Sequence, residues 1–230
     1  MHVVHTHTPE RESIISPFVK DVYPYFNGIA SIAELAIGAL SGNVALALDG
    51  AHGTVEIPIN RLQATDAHLH DTVSANRQRI VRWVLATTFG VGSIVSGGEL
   101  LGVWNPGVEN TIIDSLELVP ALASNSSATI ATLSLMRRAK QKYGRLFDTK
   151  FKLNSNLTGT EIDIVNHIVR LDFPSSALAL GATICSLAAK FSENEPLQHL
   201  FESTQSTIGL VMGIAGVAFF NPFKHHQHSH

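Results

Sequence analysis

Residues 38–56 read GALSGNVALALDGAHGTVE. The stretch is apolar enough for a hydrocarbon environment, yet it carries Asp49, His52 and Glu56, spaced by three and four. Residues three or four apart share a helical face, so one helix here would present a single ionisable stripe among Ala, Leu and Val. Ionisable groups inside a membrane span are costly and by default mark an ion or proton pathway. Whether this stretch is a span therefore decides both the fold and the function.

Composition leans toward lipid. Charged residues make up 15% of the 230 and the mean hydropathy is +0.17, whereas a soluble domain carries about 25% charged residues. The formal net charge of −3 gives no global basic field, so nucleic acid is not expected as a partner. Cys185 is the only cysteine, which excludes an internal disulfide and a multi-cysteine zinc site and leaves His, Asp and Glu to bind any metal. The start of the sequence has no basic region followed by an apolar one, so no cleavable signal peptide is expected.

Six apolar segments follow one another at 25–40, 44–62, 80–104, 111–136, 162–189 and 204–220. Most approach or exceed the 17 to 25 residues that cross a core of about 30 Å as a helix. Short turns at Ser41-Gly42-Asn43, Asn105-Pro106-Gly107 and the 192–196 loop pair them into three hairpins. The expected fold is all-α, an integral membrane bundle of six transmembrane helices over 25–220. A His-containing segment at 1–24 precedes it and a short His-rich tail at 221–230 follows.

Lysine and arginine test that topology independently, because loops kept on the cytoplasmic side hold the excess of positive charge. Arg11 and Lys20 precede the first segment, and Arg61, Arg77, Arg79 and Arg82 surround the second connection. Seven more, from Arg137 to Lys152, crowd the fourth connection, and Lys224 follows the sixth segment. Fourteen of sixteen basic residues thus fall on one side, with Lys190 at the opposite boundary and Arg170 inside the fifth segment. Both termini are expected in the cytoplasm, with the plasma or inner membrane as the default location.

The fifth segment carries a second polar stripe. Residues 161–176 read EIDIVNHIVRLDFPSS, with Asp163 and His167 four apart and Asp172 five further on. Each of the two stripes offers imidazole nitrogen and carboxylate oxygen. Facing helices could close the four-ligand tetrahedral site that Zn²⁺ accepts.

These residues resemble a known family. Gly38, Ser41, Gly42, Ala45, Leu46, Asp49, His52 and Glu56 are similar to the signature of the cation diffusion facilitators at the turn between helices 1 and 2. Asn27, Arg77, Asn125 and the Asp172, Ser175, Ser176 group extend the resemblance over 25–220. Two positions depart from it. Glu56 stands where the helix 2 motif usually ends in Asp, and the His-x-x-x-Asp of helix 5 appears as His167 and Asp172 with four residues between. On a regular α-helix the extra residue turns His167 by about 100°, to the margin of the site, unless Pro174 distorts the helix. The family's terminal metal-binding domain is also not in this sequence, which reads as a minimal or diverged member.

The resemblance implies export of a divalent metal from the cytoplasm by proton antiport, with the cation as cargo and no prosthetic group. It implies His52, Glu56 and Asp172 as metal ligands, His167 as a fourth, and Asp49 as a supporting or access-path group. Mixed His and carboxylate ligation favours Zn²⁺ and also accepts Cd²⁺, Co²⁺, Fe²⁺ or Mn²⁺. The expected partners are divalent ions, protons, the lipid bilayer and a second copy of the chain, with the G-x-x-x-G at 209–213 a signal for packing or dimer contact. No nucleophile motif or nucleotide signature occurs, so an enzyme is not expected. Two other readings stay open: a non-transporting scaffold or heterodimer partner, and an intramembrane metalloenzyme with three ligands and an open position.

Histidines also cluster elsewhere. His2, His5, His7, His225, His226, His228 and His230 lie at the two ends, where short His-rich tracts can gather metal. Asp66, His68, His70 and Asp71 fall in the second connection, where the resemblance implies a second metal site. Glu34, Asp114 and Glu117 are expected to face the bundle interior or a boundary.

Overall fold

The computed structural model describes residues 13–65, 72–103 and 111–221, with the side chains of 56–65, 72–78, 111, 112 and 114 excepted. The terminal histidines, the His68 and His70 cluster and the Asn105-Pro106-Gly107 turn lie outside them, as do the side chains of Glu56, Arg77 and Asp114. Among the described residues the chain is all-α. Its helices are α1 (Tyr23–Ser41), α2 (Val44–Thr65), α3 (Thr72–Leu100), α4 (Thr111–Leu116), α5 (Leu118–Tyr143), α6 (Gly159–His167), α7 (Phe173–Phe191) and α8 (Glu195–Phe219).

Each of the six expected segments holds a helix, and hydropathy explains where the bounds moved. Apolar content marks the lipid-compatible stretch rather than the hydrogen-bonded one. The sixth helix starts nine residues before the expected 204 because Asn194 caps it, its side chain accepting from Leu197 N at 3.2 Å, with Pro196 in the first turn. The fourth segment is divided at Glu117 into α4 and α5. Among the described residues two helices, against the six spans expected, are long and apolar enough to cross a membrane, Arg79–Leu100 and the 33-residue Gly159–Phe191, the latter formed by α6 and α7 in continuity. At 1.5 Å per residue it is about 50 Å long, more than a hydrocarbon core needs.

Two interruptions of α geometry set the position of the functional residues. Phe18–Val22 and Ile168–Asp172 are π-turns, closed by Tyr23 N–H to Phe18 O and by Phe173 N–H to Ile168 O. Both run into an aromatic-proline pair, Tyr23-Pro24 and Phe173-Pro174. A proline has no N–H with which to hold the preceding turn in α register, so the same local chemistry produces both. The described part of the 1–24 segment is already packed: Ile14, Val19 and Tyr23 join Val165 and Ile168 around Ala128, Ala131 and Leu135 of α5.

Helices α1 and α2 approach backbone to backbone. Gly42, at φ +78°, makes the left-handed turn between them, and a Cβ on Gly50 would overlap the backbone N of Leu35 and lie 2.5 Å from Ser31 O. Nothing there is a flexible side chain that could yield. Gly50→Ala is therefore expected to lower stability by about 3 kcal/mol, the upper end of ordinary overpacking, as read by thermal unfolding. Gly97→Ala, whose nearest neighbour would be Leu210 Cδ1 at 4.0 Å, should leave the transition in place or raise it.

The glycines of α8 work in the same way. Gly209 and Gly213 meet Ser96 and Ser93 of α3, and Gly216 meets the Phe89 ring. The G-x-x-x-G face is thus occupied by packing within the chain. At the opposite end of α2, Asn43 caps the helix through Leu46 N (3.1 Å) and donates from Nδ2 to Glu117 Oε2 (3.0 Å) and Thr183 Oγ1 (3.1 Å). Glu34 and Glu117 are fully buried, as expected of interior-facing acids.

Candidate metal centre

Three of the expected ligands converge. His52 comes from α2, while His167 and Asp172 flank the second π-turn, and one ligand atom from each lies within 4.8 Å of the other two. His52 Nδ1 is 3.9 Å from Asp172 Oδ1 and His167 Nε2 is 3.4 Å from Asp172 Oδ2. Two ligands held at 2.0–2.1 Å in a tetrahedral zinc shell stand about 3.3–3.5 Å apart. The His167–Asp172 pair already has that separation, and the His52–Asp172 pair, through the other carboxylate oxygen, is within half an ångström of it.

The π-turn between α6 and α7 resolves the register of the fifth segment. Its i→i+5 closure absorbs one residue more than an α turn, so His167 and Asp172, five apart, share a face as residues four apart do on an α-helix. The expectation that the extra residue moves His167 to the margin holds for a regular helix, and this helix is not regular. Pro174 is the local cause, and the inserted turn lies at the site itself, where such bulges recur.

Burial divides the three groups by role. His52 and Asp172 are 2% and 4% exposed, whereas the His167 side chain is 27% exposed, so His167 forms the open side of the centre. On the closed side the Phe220 ring lies 5.5 Å from that of His52 and stacks on Phe89 at 5.6 Å. Those rings exclude water from one flank, which strengthens any electrostatic contact within.

Sequence patterns did not point to Tyr23, which lies two residues before the first apolar segment. Its hydroxyl donates to Asp172 Oδ2 at 2.5 Å and its side chain is buried. That is the length of a strong bond to a carboxylate, and it fixes the orientation of the group that both imidazoles approach. Outer partners of this kind typically contribute 10–100-fold in metal affinity. Tyr23→Phe is expected to weaken cation binding by about tenfold with the fold intact, as measured by competition against a chromogenic chelator.

The other expected residues fall differently. Asp49 is buried and lies outside the three-residue cluster; one turn before His52, it faces α5, with Ser124 Oγ 3.5 Å from its Oδ2. That placement suits a supporting group better than a ligand. The Glu56 side chain lies outside the described residues. Asp163 is exposed and is not in the cluster. Arg170 reaches away from the centre: Nη2 donates to Phe151 O at 3.1 Å and the guanidinium lies 5.8 Å from the Phe147 ring centre. The charge inside the fifth segment therefore belongs to the 145–158 loop, not to the bundle interior.

Glu161 anchors that end of the helix. It completes a capping box with Thr158 and also accepts from Ile14 N (3.0 Å) and Tyr143 Oη (3.2 Å). Asp148, in the loop itself, accepts from the N–H groups of Lys152 and Lys150 at 2.8 Å each. The Lys152 N–H, first among these causes, holds its carboxyl below the usual range.

No family model, curated protein or solved structure matches the chain.

Proposed function

We propose that the chain is an integral membrane carrier of divalent cations, Zn²⁺ before others, which binds its cargo between α2 and the fifth segment and exports it in exchange for protons. The observation that carries this reading is the convergence of His52, His167 and Asp172 from two elements onto one point. Two imidazoles and a carboxylate suit zinc and its neighbours better than Mg²⁺ or Ca²⁺.

The distribution of side chains supports placing that point in a bilayer. Polar groups lie inside, among them Glu34, Asn43, Asp49, His52, Glu117 and Asp172, while Ile29, Ile94, Val119, Leu133, Ile184 and Ile214 are more than half exposed. A soluble bundle has the opposite arrangement, and extended apolar surface calls for a covering phase. On this reading the six segments cross the membrane with both termini cytoplasmic, because the basic residues gather at alternate connections. Arg170 then belongs to the cytoplasmic loop, and His167 faces the cytoplasmic approach.

Proton exchange follows from the ligands. Metal binding needs neutral imidazole and ionised carboxylate, so protonation from the far side releases the cation. Binding through His52 and His167 should therefore weaken as the pH falls, because only the neutral imidazole ligates.

Proteoliposomes containing only this chain provide the test. An imposed pH gradient should drive ⁶⁵Zn uptake, and His52→Ala should reduce it to the protein-free rate. Equal uptake by wild type and variant would overturn the reading.

A further inference from the structure

A cavity of about 540 Å³ opens between the first π-turn and α5, away from the metal centre. Phe18 forms part of one wall, and Ile130 and Leu133 form part of the other. Ile130 is 54% and Leu133 59% exposed, so the apolar side opens outward from the bundle. One to three turns further along α5 come Arg137, Arg138 and Gln141. Positions 130, 133, 137 and 141 repeat at three and four, so one helical face runs from apolar to cationic.

The two arginines are held differently. Arg138 Nη1 donates to Ser13 O at 3.4 Å, which ties it to the segment before the π-turn. Arg137 is exposed. Among the described residues no acidic side chain lines the cavity, and the charged groups on its rim are both cationic. Across the floor, Ser134 and Ser16 hydroxyls join at 3.0 Å.

We propose that this cavity binds an anionic phospholipid of the cytoplasmic leaflet, its phosphate at Arg137 and Arg138 and an acyl chain along Leu133, Ile130 and Phe18. The assignment rests on the membrane reading above but not on the metal site. In that reading the fourth span ends at residue 136. Arg137 then stands at headgroup depth, and Ile130 and Leu133 one to two turns deeper, at the depth of the chains. Basic pockets on the cytoplasmic side of membrane helices are suited to anionic headgroups, and a guanidinium pairs with phosphate through two parallel hydrogen bonds. A free phosphate would satisfy the arginines and leave the apolar wall without a partner. The lipid satisfies both, and the volume falls within the range of small-molecule sites.

The test is thermal unfolding of the detergent-extracted chain with phosphatidylglycerol, phosphatidylcholine or inorganic phosphate added in turn. A ligand bound only by the folded state raises the midpoint. Phosphatidylglycerol should raise it by several degrees more than phosphatidylcholine, and inorganic phosphate should not raise it. Arg137→Gln, which leaves the Arg138 bond to Ser13 in place, should lose most of that difference while unfolding normally in phosphatidylcholine. Equal stabilisation by the two lipids, or an undiminished shift in both Arg137→Gln and Arg138→Gln, overturns the proposal. A full shift with inorganic phosphate overturns it in favour of a free anion. His52→Ala should keep the phosphatidylglycerol shift, so failure of the metal reading and failure of the lipid site are read separately. Retention of the chain by carbonate-washed membranes tests the membrane reading on its own.

Discussion

Replacing Asp172 with alanine should lower Zn²⁺ affinity by more than about 100-fold, since even outer partners of metal ligands contribute 10–100-fold. Both imidazoles approach Asp172, His52 at 3.9 Å and His167 at 3.4 Å, and it also receives the Tyr23 hydroxyl. Without it the two rings, 5.9 Å apart between centres, have no negative charge between them. Asp172→Asn separates chemistry from packing. The amide oxygen can still accept from Tyr23 and the volume is kept, so the far-ultraviolet circular dichroism and the unfolding midpoint should stay near wild type. The negative charge is gone, however, and affinity should remain depressed. An asparagine variant that binds Zn²⁺ within threefold of wild type would show that the carboxylate is structural.

The second large effect concerns register. Deleting Val169 removes the residue that the π-turn absorbs and leaves His167 and Asp172 four apart, the spacing that a regular α-helix aligns. Affinity should stay within about tenfold of wild type, the lower end of what disturbing an outer partner costs. Inserting an alanine after Val169 adds a residue that the turn does not accommodate and swings His167 by about 100°. That chain should lose the centre while remaining helical. Measured side by side by chelator competition, an equal loss from deletion and insertion would mean that the π-turn does not align the ligands.

These two substitutions mark where the sequence was legible and where it was not. The all-α class, the turn at Gly42 and the inward stripe of α2 follow from hydropathy and from a three-four spacing, both of which read a regular helix correctly. His52 and Asp172 were visible for that reason. His167 was visible as a residue type but not in position, because a period of 3.6 places it on the wrong face and only the π-turn returns it. Tyr23 was invisible: its contact with Asp172 joins residues 149 apart, and no local pattern encodes it. No local pattern assigns Arg170 a partner, because the 145–158 loop that meets it folds back from outside the helix. Hydropathy likewise marked the apolar part of α8 and missed its first nine residues, which Asn194 and Pro196 define through hydrogen bonding.

The carrier reading stands on one claim, that α2 and the π-interrupted helix close a single cation site. Equilibrium dialysis of the full-length chain with ⁶⁵Zn, compared with the His52→Ala/His167→Ala double variant, tests it directly, because the terminal histidines are common to both. The account predicts one additional high-affinity Zn²⁺ per wild-type chain, released on acidification as the imidazoles protonate. Equal stoichiometry in the two proteins would contradict it.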